Sequence, residues 1–247
     1  MAYNNLKIFC SIIFLNMLGK FIEKVISKRL QILSISSNFI YSNQLTGLKQ
    51  QSTTNAGLFL IYLICTSWVK DFDTSTLVFD IAQFFLLLNH HLLPLILNKV
   101  GFDSRILSSF SNYLINRKTQ YVWNSFVSLF FRADIDIGQE FAFSPILVSF
   151  YITPIFHIFE KRSKDLLLNI PVSVLSFVDV SLFISQKKSY EKSNAYLFYS
   201  YNIISNIFNQ FGLTIEHSKS EVFNFSRSIR NFNPPSLDLS LLEDPIL

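Results

Sequence analysis

The segment from Leu175 to Ile184, LSFVDVSLFI, is apolar on both sides of a single carboxylate, Asp179. Its apolar and β-branched residues alternate enough for two short strands that meet at positions 178–180 in a tight hairpin. An aspartate at a hairpin tip can hydrogen-bond its own backbone. The same carboxylate could instead be a metal ligand, and that alternative requires a second acid elsewhere in the chain.

A second carboxylate, Asp80, stands close to the end of another apolar segment. Residues 74–82 are β-branched and apolar, which predicts a strand. Residues 89–100 then have the pattern of a short helix, and Gly101 supplies its usual left-handed end. The order of elements so far is strand, then helix.

The later part of the chain predicts two more helices and another strand. Ser144 and Pro145 suit the N-cap and first turn of a helix, which Pro154 would kink. Residues 189–211 form one apolar stripe that ends at Gly212, and its members are Leu197, Tyr201, Ile204, Phe208 and Phe211. Residues 221–225 read as a strand. This order predicts an α+β fold, an antiparallel sheet with helices on one face.

Near the start, residues 18–30 predict an amphipathic helix. Its apolar positions are Leu18, Ile22, Val25, Ile26 and Leu30, and Lys20, Lys24 and Lys28 follow one another at four-residue steps. These lysines form either a solvated face or a contact with a phosphate backbone. Residues 42–52 are polar and predict a loop or a short ribbon.

The composition first suggests a membrane protein. Half of the 247 residues are hydrophobic, 27 are Phe and only 15% are charged, against about 25% in soluble domains. However, no apolar run reaches about 18 residues, because the stretches at 8–18, 56–69 and 144–159 are too short or interrupted. No secretory signal with a cleavage site is evident. We therefore expect an intracellular protein of the cytoplasm or nucleus, not secreted and without stable membrane association; an integral membrane protein remains the rival.

Cysteine and histidine content argues against a structural zinc site. The two cysteines, Cys10 and Cys65, are too few for a four-ligand site, and the four histidines lack ligand spacing. The cysteines are predicted to be reduced thiols in the core. A net charge of +4 permits a polyanionic partner without requiring one.

The two carboxylates become informative when they are considered together. In a split β-α-β sheet, the strand that ends at Asp80 can lie beside the hairpin that carries Asp179. Two such carboxylates would be hard oxygen ligands suited to Mg²⁺, and two Mg²⁺ ions recur in nucleotidyl transfer. The spacing alone leaves another interpretation open, in which one acid is a turn residue and the other caps a strand end.

Short motifs that follow one another in order resemble those of the reverse transcriptases of non-LTR (LINE-like) retrotransposons. Motifs A to D correspond to FDIAQFF with Asn89-His90, Gly138-Gln139 with Ser144-Pro145, Phe177-Val178-Asp179, and Phe211-Gly212-Leu213 with His217, Lys219 and Glu221. The fingers segments of the family resemble residues 15–30 and 43–54. The resemblance covers roughly residues 13–227.

The resemblance implies a polymerase palm with a helical fingers segment that copies RNA into DNA. Residues 1–73 would be fingers-like, 74–227 the palm and 228–247 an irregular tail, with the family's endonuclease and thumb absent. The implied cofactor is Mg²⁺ in a two-metal site, and the implied partners are an RNA template, a DNA primer and dNTPs. No obligate protein partner is implied.

The resemblance also implies roles for individual residues. Asp80 and Asp179 match the metal-binding catalytic aspartates, and Lys219 matches a lysine that can protonate departing pyrophosphate. Phe85 matches the aromatic residue against the sugar of the incoming nucleotide, while Gly138 and Gln139 match the loop under the templating pair. Lys49 either contacts the triphosphate or is a solvated loop charge.

This copy departs from its family at several of these positions. The second motif C aspartate is Val180, a poor residue for a hairpin tip. In motif B a glycine is replaced by Glu140 and a serine by Phe141; the further departures are Gln51, Asn55, Leu86 and Leu87. Together they predict impaired catalysis, and the rival is a nucleic-acid-binding remnant without activity.

Most of these replacements can each arise from one C-to-T or G-to-A transition; Val180 is an exception because Asp to Val needs a transversion. Such drift also removes Gly, Pro and Ala codons and enriches Phe, Ile, Asn and Lys. We therefore interpret the apolar composition as decay of a transposon copy. Related genomic copies without a transition excess would contradict this interpretation.

Overall fold

The computed structural model describes residues 17–45, 52–114, 118–120, 122–132, 137, 141–165 and 171–227. The helices in these residues are α1 (Met17–Ser37), α2 (Thr53–Val69), α3 (Phe84–Leu87), α4 (Leu92–Val100), α5 (Ser104–Leu114), α6 (Ser144–Asp165) and α7 (Tyr190–Gln210). The strands are β1 (Asp73–Ile81), β2 (Lys118–Thr119), β3 (Val122–Trp123), β4 (Phe126–Val127), β5 (Phe131–Arg132), β6 (Val172–Phe177), β7 (Val180–Lys187) and β8 (Ile215–Phe225).

Four strands form one antiparallel sheet in the order β6-β7-β1-β8. The central strand β1 pairs with β7 from Asp73 opposite Lys187 to Asp80 opposite Val180. On its other side β1 pairs with β8, and that register shifts between Val78 and Asp80. The short strands pair separately, β2 with β5 and β3 with β4. The predicted α+β fold with an antiparallel sheet is confirmed.

Aromatic packing joins the sheet to helix α7. The Phe79 ring lies 5.1 Å from Phe183 of β7 and 6.2 Å from both Tyr201 and Phe208 of α7, measured between ring centroids. Phe183 also stacks on Phe159 of α6 at 4.8 Å. Because side chains alternate along a strand, Phe79 faces these helices while the next residue, Asp80, faces away from them.

Helix α7 agrees closely with its prediction. Leu197, Tyr201, Ile204 and Phe208 are buried, and Phe211 is partly buried against the same core. Gly212 has a φ of 74°, a left-handed conformation that glycine adopts without a Cβ penalty. The chain therefore turns at the predicted glycine, and Leu213 enters the core.

Two predicted boundaries were wrong. Helix α4 begins at Leu92 and not at residue 89, because the Asn89 side-chain oxygen accepts hydrogen bonds from the backbone N–H groups of His91 and Leu92 at 2.8 and 3.2 Å. Asn89 therefore precedes the helix and satisfies its first donors. Gly101 ends α4 as predicted, with a φ of 89°. Strand β8 begins at Ile215, six residues before the predicted start at 221.

Helix α6 begins at Ser144, as predicted, and continues through Pro154. The Thr153 hydroxyl donates to the Ser149 carbonyl at 2.8 Å, and the Ser149 hydroxyl donates to the Pro145 carbonyl at 2.9 Å. The proline therefore does not end the helix. The kink at this position stays a prediction.

Helix α1 exists as predicted, but only part of its apolar side faces the protein. Of the predicted apolar positions, Leu30 is buried and Ile26 is partly buried against the core, whereas Leu18, Ile22 and Val25 are exposed. The inward side instead carries the polar residues Glu23, Ser27 and Ser34. Buried polar groups need partners, and these have them: Tyr113 donates to Glu23 at 2.9 Å, Ser27 to the Ala142 carbonyl at 2.9 Å and Ser34 to the Gln31 carbonyl at 2.7 Å.

Cys65 is exposed on α2, so the prediction that it is a core thiol was wrong. Helix α2 contacts β1 and β6 with one side only, and Ile64 and Ser67 are its buried residues. Cys65 stands on the other side. Cys10 lies outside the described residues. Among the helices in the described ranges, none is both long and apolar enough to cross a membrane.

Candidate active site at the end of the central strand

Asp80 lies at the end of the central strand, between two cross-strand neighbours. Its Cα partner on β7 is Val180, and its partner on β8 is Glu216. Directly opposite residues of an antiparallel pair have Cβ atoms about 5 Å apart and point to the same face. Val180, Asp80 and Glu216 therefore form a row on the sheet face that is turned away from α7.

The hairpin between β6 and β7 brings Asp179 to the same end of the sheet. Strand β6 ends at Phe177 and β7 begins at Val180, which leaves Val178 and Asp179 as a two-residue turn. The Asp179 carbonyl accepts a hydrogen bond of 3.0 Å from the backbone N–H of Ile81, the residue after Asp80. Asp179 is thus a turn residue whose backbone is hydrogen-bonded to the end of β1, next to Asp80.

The turn contains the valine with the unusual backbone conformation, and that valine is not Val180. Val178 has a φ of 56°, in the left-handed region, where a β-branched residue is a genuine outlier. Val180 is an ordinary strand residue that pairs with Phe177 and Asp80. The expectation that Val180 occupies the hairpin tip was therefore wrong.

We expect Val178→Asn to stabilise the protein by about 1 kcal/mol, because asparagine tolerates the left-handed conformation that costs other L-residues about 1–2 kcal/mol. Urea denaturation measures the change. The same substitution at Val180, in extended backbone, is the control and should give no gain. A lower stability of Val178→Asn would show that packing of the valine side chain outweighs its backbone strain.

The carboxylates of the site affect one another electrostatically. Burial raises the pKa of Asp179 above its ordinary value, and the negative charge of Asp80 raises it further. Hydrogen bonding to the Asp179 backbone and the positive charge of Lys219 act in the opposite direction. The charges of Asp80 and Asp179 therefore affect each other at this end of the sheet.

Lys219 extends from β8 to Asp80. Its ammonium Nζ donates to Asp80 Oδ2 at 2.5 Å, although the lysine side chain is 65% exposed and that of Asp80 only 15%. The hydrogen bond and charge of Asp80 raise the pKa of Lys219, and the nearby charges of Glu216 and Asp179 add to the shift. Its predicted role as a proton donor to pyrophosphate stays a prediction.

The donor set of this site fits a hard divalent cation. Asp80 Oδ1 is buried and accepts no hydrogen bond from any residue that the structure describes. Carboxylate oxygens are the ligands that Mg²⁺ prefers, and Mg²⁺ commonly binds through one or two carboxylates together with substrate phosphates. No group of three acidic, histidine or cysteine residues with metal-ligating geometry exists within the described ranges. The role of Asp80 and Asp179 as the two metal ligands stays a prediction.

Phe85 follows β1 in the short helix α3 and is partly buried. Its ring centroid lies 6.2 Å from that of Phe84, and its carbonyl accepts a hydrogen bond of 2.8 Å from the backbone N–H of Ile137. This bond links the end of β1 to the segment that precedes the predicted motif B loop. The other predicted nucleotide- and template-binding residues lie outside the described residues: Lys49, Gly138 and Gln139.

Phe141, which departs from the motif B pattern of the resembling family, is part of the core. It is 3% exposed, and its ring lies 5.8 Å from Phe143 and 6.2 Å from Tyr113. Phe141 therefore contributes apolar packing at this position.

The sequence prediction missed Glu216. Because the last strand was expected to begin at residue 221, Glu216 was assigned no neighbour on the sheet. Ile215 and Leu213 gave the available signal, since both are apolar, both are buried and they alternate with polar residues. The β1–β8 register shifts between Val78 and Asp80, and this shift places Glu216 opposite Asp80. The sequence contains no comparable signal for the shift.

The fold is similar to those of telomerases of known structure. Apo telomerase from Candida tropicalis, truncated from the C-terminal domain, matches with a TM-score of 0.58 and 15% identity over 85% of this chain. Telomerases in complex with a TWJ fragment of telomeric RNA match with TM-scores of 0.60 (Candida tropicalis, 13% identity over 85% of this chain) and 0.59 (Candida albicans, 14% over 84%). No protein-family model matches the sequence, and no significant relative is found among curated proteins.

The matched region spans 41%, 34% and 36% of those three telomerase chains. At such low identity the likeness concerns the fold, and it extends over most of this chain. The described residues include the four strands of the sheet, the helices that pack on it and the acidic end of β1. The chain therefore has an α+β fold similar to that of these telomerases.

Proposed function

We propose that this chain is the fingers and palm portion of a retrotransposon reverse transcriptase, an RNA-directed DNA polymerase of the non-LTR type. The observation that carries the proposal is the pairing of β1 with β7, because it joins Asp80 to the hairpin that presents Asp179. The two acids are far apart in the sequence and interact electrostatically in the fold. The telomerase-like fold supports a polymerase at the coarse level.

In this proposal Asp80 and Asp179 hold Mg²⁺. When bound, the metal supplies charge neutralisation for the attacking and leaving oxygens of nucleotidyl transfer. The chain's own contribution is to orient the two carboxylates, one on the end of β1 and one on the turn. Phe85 would lie against the sugar of the incoming dNTP, Gly138 and Gln139 under the templating base, and Lys49 near the triphosphate. Lys219 would protonate pyrophosphate.

The proposed partners are an RNA template and a DNA primer. Two of the telomerase neighbours are described in complex with a telomeric RNA fragment, and the excess of four positive charges suits a polyanion. We propose that the protein acts inside the cell, in the cytoplasm or the nucleus. The element from which it descends is proposed to be non-LTR on the motif resemblance alone.

We also propose that catalysis is impaired in this copy. Val180 is the cross-strand neighbour of Asp80, and it offers no charge at a position where the family has a carboxylate. At an effective dielectric constant of about 20, one charge pair at about 4 Å is worth on the order of 4 kcal/mol. This corresponds to roughly a thousandfold in rate.

Primer extension on an RNA template with Mg²⁺ tests this function. In a Val180→Asp background, we expect Asp80→Asn to abolish extension, because one of the two proposed metal ligands loses its charge. Glu191→Gln, an isosteric change in the first turn of α7, is the control and should leave extension unchanged.

Two outcomes would contradict the proposal. Extension that survives Asp80→Asn would remove Asp80 from the metal site. Robust extension by the unmodified chain would leave the assignment as a polymerase intact and would overturn the impairment.

A second candidate function is nucleic-acid binding without catalysis. It is favoured by helix α1, where Lys20, Lys24 and Lys28 are all exposed along one side. Filter binding to an RNA–DNA primer–template at several salt concentrations measures this activity, because phosphate contacts give a salt-dependent affinity. Binding without extension, even after Val180→Asp, would favour this second function over the first.

A further inference from the structure

The acidic end of the sheet already contains a cation, the ammonium of Lys219. Asp80, Asp179 and Glu216 all act on Lys219 electrostatically, and its hydrogen bond with Asp80 Oδ2 is the strongest of these contacts. The ammonium contacts one of these carboxylates, that of Asp80, and the other two contribute through their charge. The ion pair therefore places a cation on Asp80, and this cation is attached to the protein by a flexible side chain.

Geometry makes Lys219 a competitor of any divalent cation at this place. One oxygen of the Asp80 carboxylate, Oδ2, accepts the lysine hydrogen bond, and the other, Oδ1, is buried. A cation that reaches Asp80 from solvent therefore meets the ammonium first. Because the lysine side chain is largely exposed, it can leave without disturbing the core.

We propose that Lys219 is a tethered counter-cation that must move away from Asp80 before a divalent cation binds, and that it thereby lowers the affinity of the site for divalent cations. The inference rests on the proposed function in one respect, namely that Asp80 is a ligand of the metal. It goes beyond that function because it assigns to Lys219 a role in the enzyme before any nucleotide is present.

Val180 should make Lys219 a stronger competitor of the divalent cation. An aspartate at position 180 would add a carboxylate beside Asp80. That carboxylate would stabilise a bound dication more than it stabilises the lysine ammonium, because Coulomb energy scales with the charge. With valine at this position, the advantage of the dication over Lys219 is reduced. Lys219 should therefore hinder metal binding more strongly in this chain than in its Val180→Asp variant.

Titration of the full chain with Mn²⁺, followed by electron paramagnetic resonance of the free ion and without nucleic acid, tests the proposal. We expect Lys219→Met to bind Mn²⁺ about three- to fivefold more tightly, a modest factor because an exposed ion pair is weak. Lys219→Arg keeps the cation and should bind as the unmodified chain does. Lys192→Met, at an exposed lysine near the start of α7, is the control for loss of a positive charge and should also change nothing.

A double variant separates this inference from the proposed function. If Lys219→Met tightens binding and the added Asp80→Asn removes the gain, the competition occurs at Asp80, whether or not the protein extends primers. If affinity stays the same or falls in Lys219→Met, or if no variant binds Mn²⁺, the counter-cation role is overturned. Extension by the Val180→Asp chain would in that case still uphold the polymerase.

Thermal unfolding provides a second readout. Without metal, Lys219→Met should lower the melting temperature, because the carboxylates lose their counter-charge. With Mn²⁺ its melting temperature should rise by more than that of the unmodified chain, because ligand stabilisation grows as the dissociation constant falls. An equal rise in both proteins would contradict the proposal.

Discussion

Val180→Asp is expected to raise the rate of nucleotide incorporation by up to about a thousandfold over that of the unmodified chain. Val180 is paired with Asp80 and only partly buried, so a carboxylate fits there and points to the same sheet face. The new charge would stand beside the proposed metal ligands. Primer extension with Mg²⁺ at saturating dNTP measures the rate.

Leu182→Asp is the matched control for this prediction. It adds the same charge to the same face of β7, but two residues further from the hairpin, opposite Val78. We expect no increase in extension from it. Equal rates in the two variants would mean that the position of Val180 beside Asp80 has no special importance.

The Val180→Asp chain should also depend on metal for its stability. Like charges directly opposite each other on adjacent strands are destabilising, so its melting temperature without Mg²⁺ should fall below that of the unmodified protein. Added Mg²⁺ should restore it. If Mg²⁺ does not restore the melting temperature, the carboxylates of Asp80, Asp179 and the aspartate introduced at position 180 do not share a cation.

Phe79→Ala is expected to lower the free energy of unfolding by about 3–5 kcal/mol, the usual cost of removing a buried aromatic ring. Phe79 is fully buried and touches β7 and α7 through three aromatic rings. It also immediately precedes Asp80, so its loss should disturb the site as well as the core. Denaturation in urea measures the change.

Phe223→Ala is the control, because Phe223 lies on the neighbouring strand β8 and is 44% exposed. We expect a loss below about 1 kcal/mol from this variant, as is usual for a surface position. Comparable losses from the two substitutions would contradict the assignment of Phe79 as the residue that joins sheet and helices.

Local patterns predicted the parts of the fold that depend on neighbouring residues. The stripe of α7 with Gly212 behind it, the strand that ends near Asp80 and the hairpin around Asp179 were all found at the expected places. In each case the signal is a period of 2 or 3.6 residues followed by a residue that suits a turn or a cap. The resemblance of short motifs then predicted a single site for both aspartates.

Predictions failed where the buried side of a helix depended on residues far away in the sequence. Helix α1 has a clear apolar side, yet much of that side is exposed and the polar residues Glu23 and Ser27 are buried instead, because Tyr113 and the Ala142 carbonyl are their partners. Cys65 was expected in the core and is exposed, because only one side of α2 contacts the sheet. Periodicity identifies the two sides of a helix, but it does not tell which side the rest of the protein will cover.

The amino-acid sequence by itself determined strand β1, the hairpin of β6 and β7, helices α4, α6 and α7, and the two aspartates on which the proposed chemistry depends. Helices α2 and α5 and the short strands β2 to β5 were not predicted. Only the tertiary structure decided that Glu216 lies opposite Asp80 and that Lys219 reaches the Asp80 carboxylate. The physical reason for the position of Glu216 is the shift of register between β1 and β8. Such a shift depends on how two strands far apart in the chain pair, and it leaves no periodic trace in either of them.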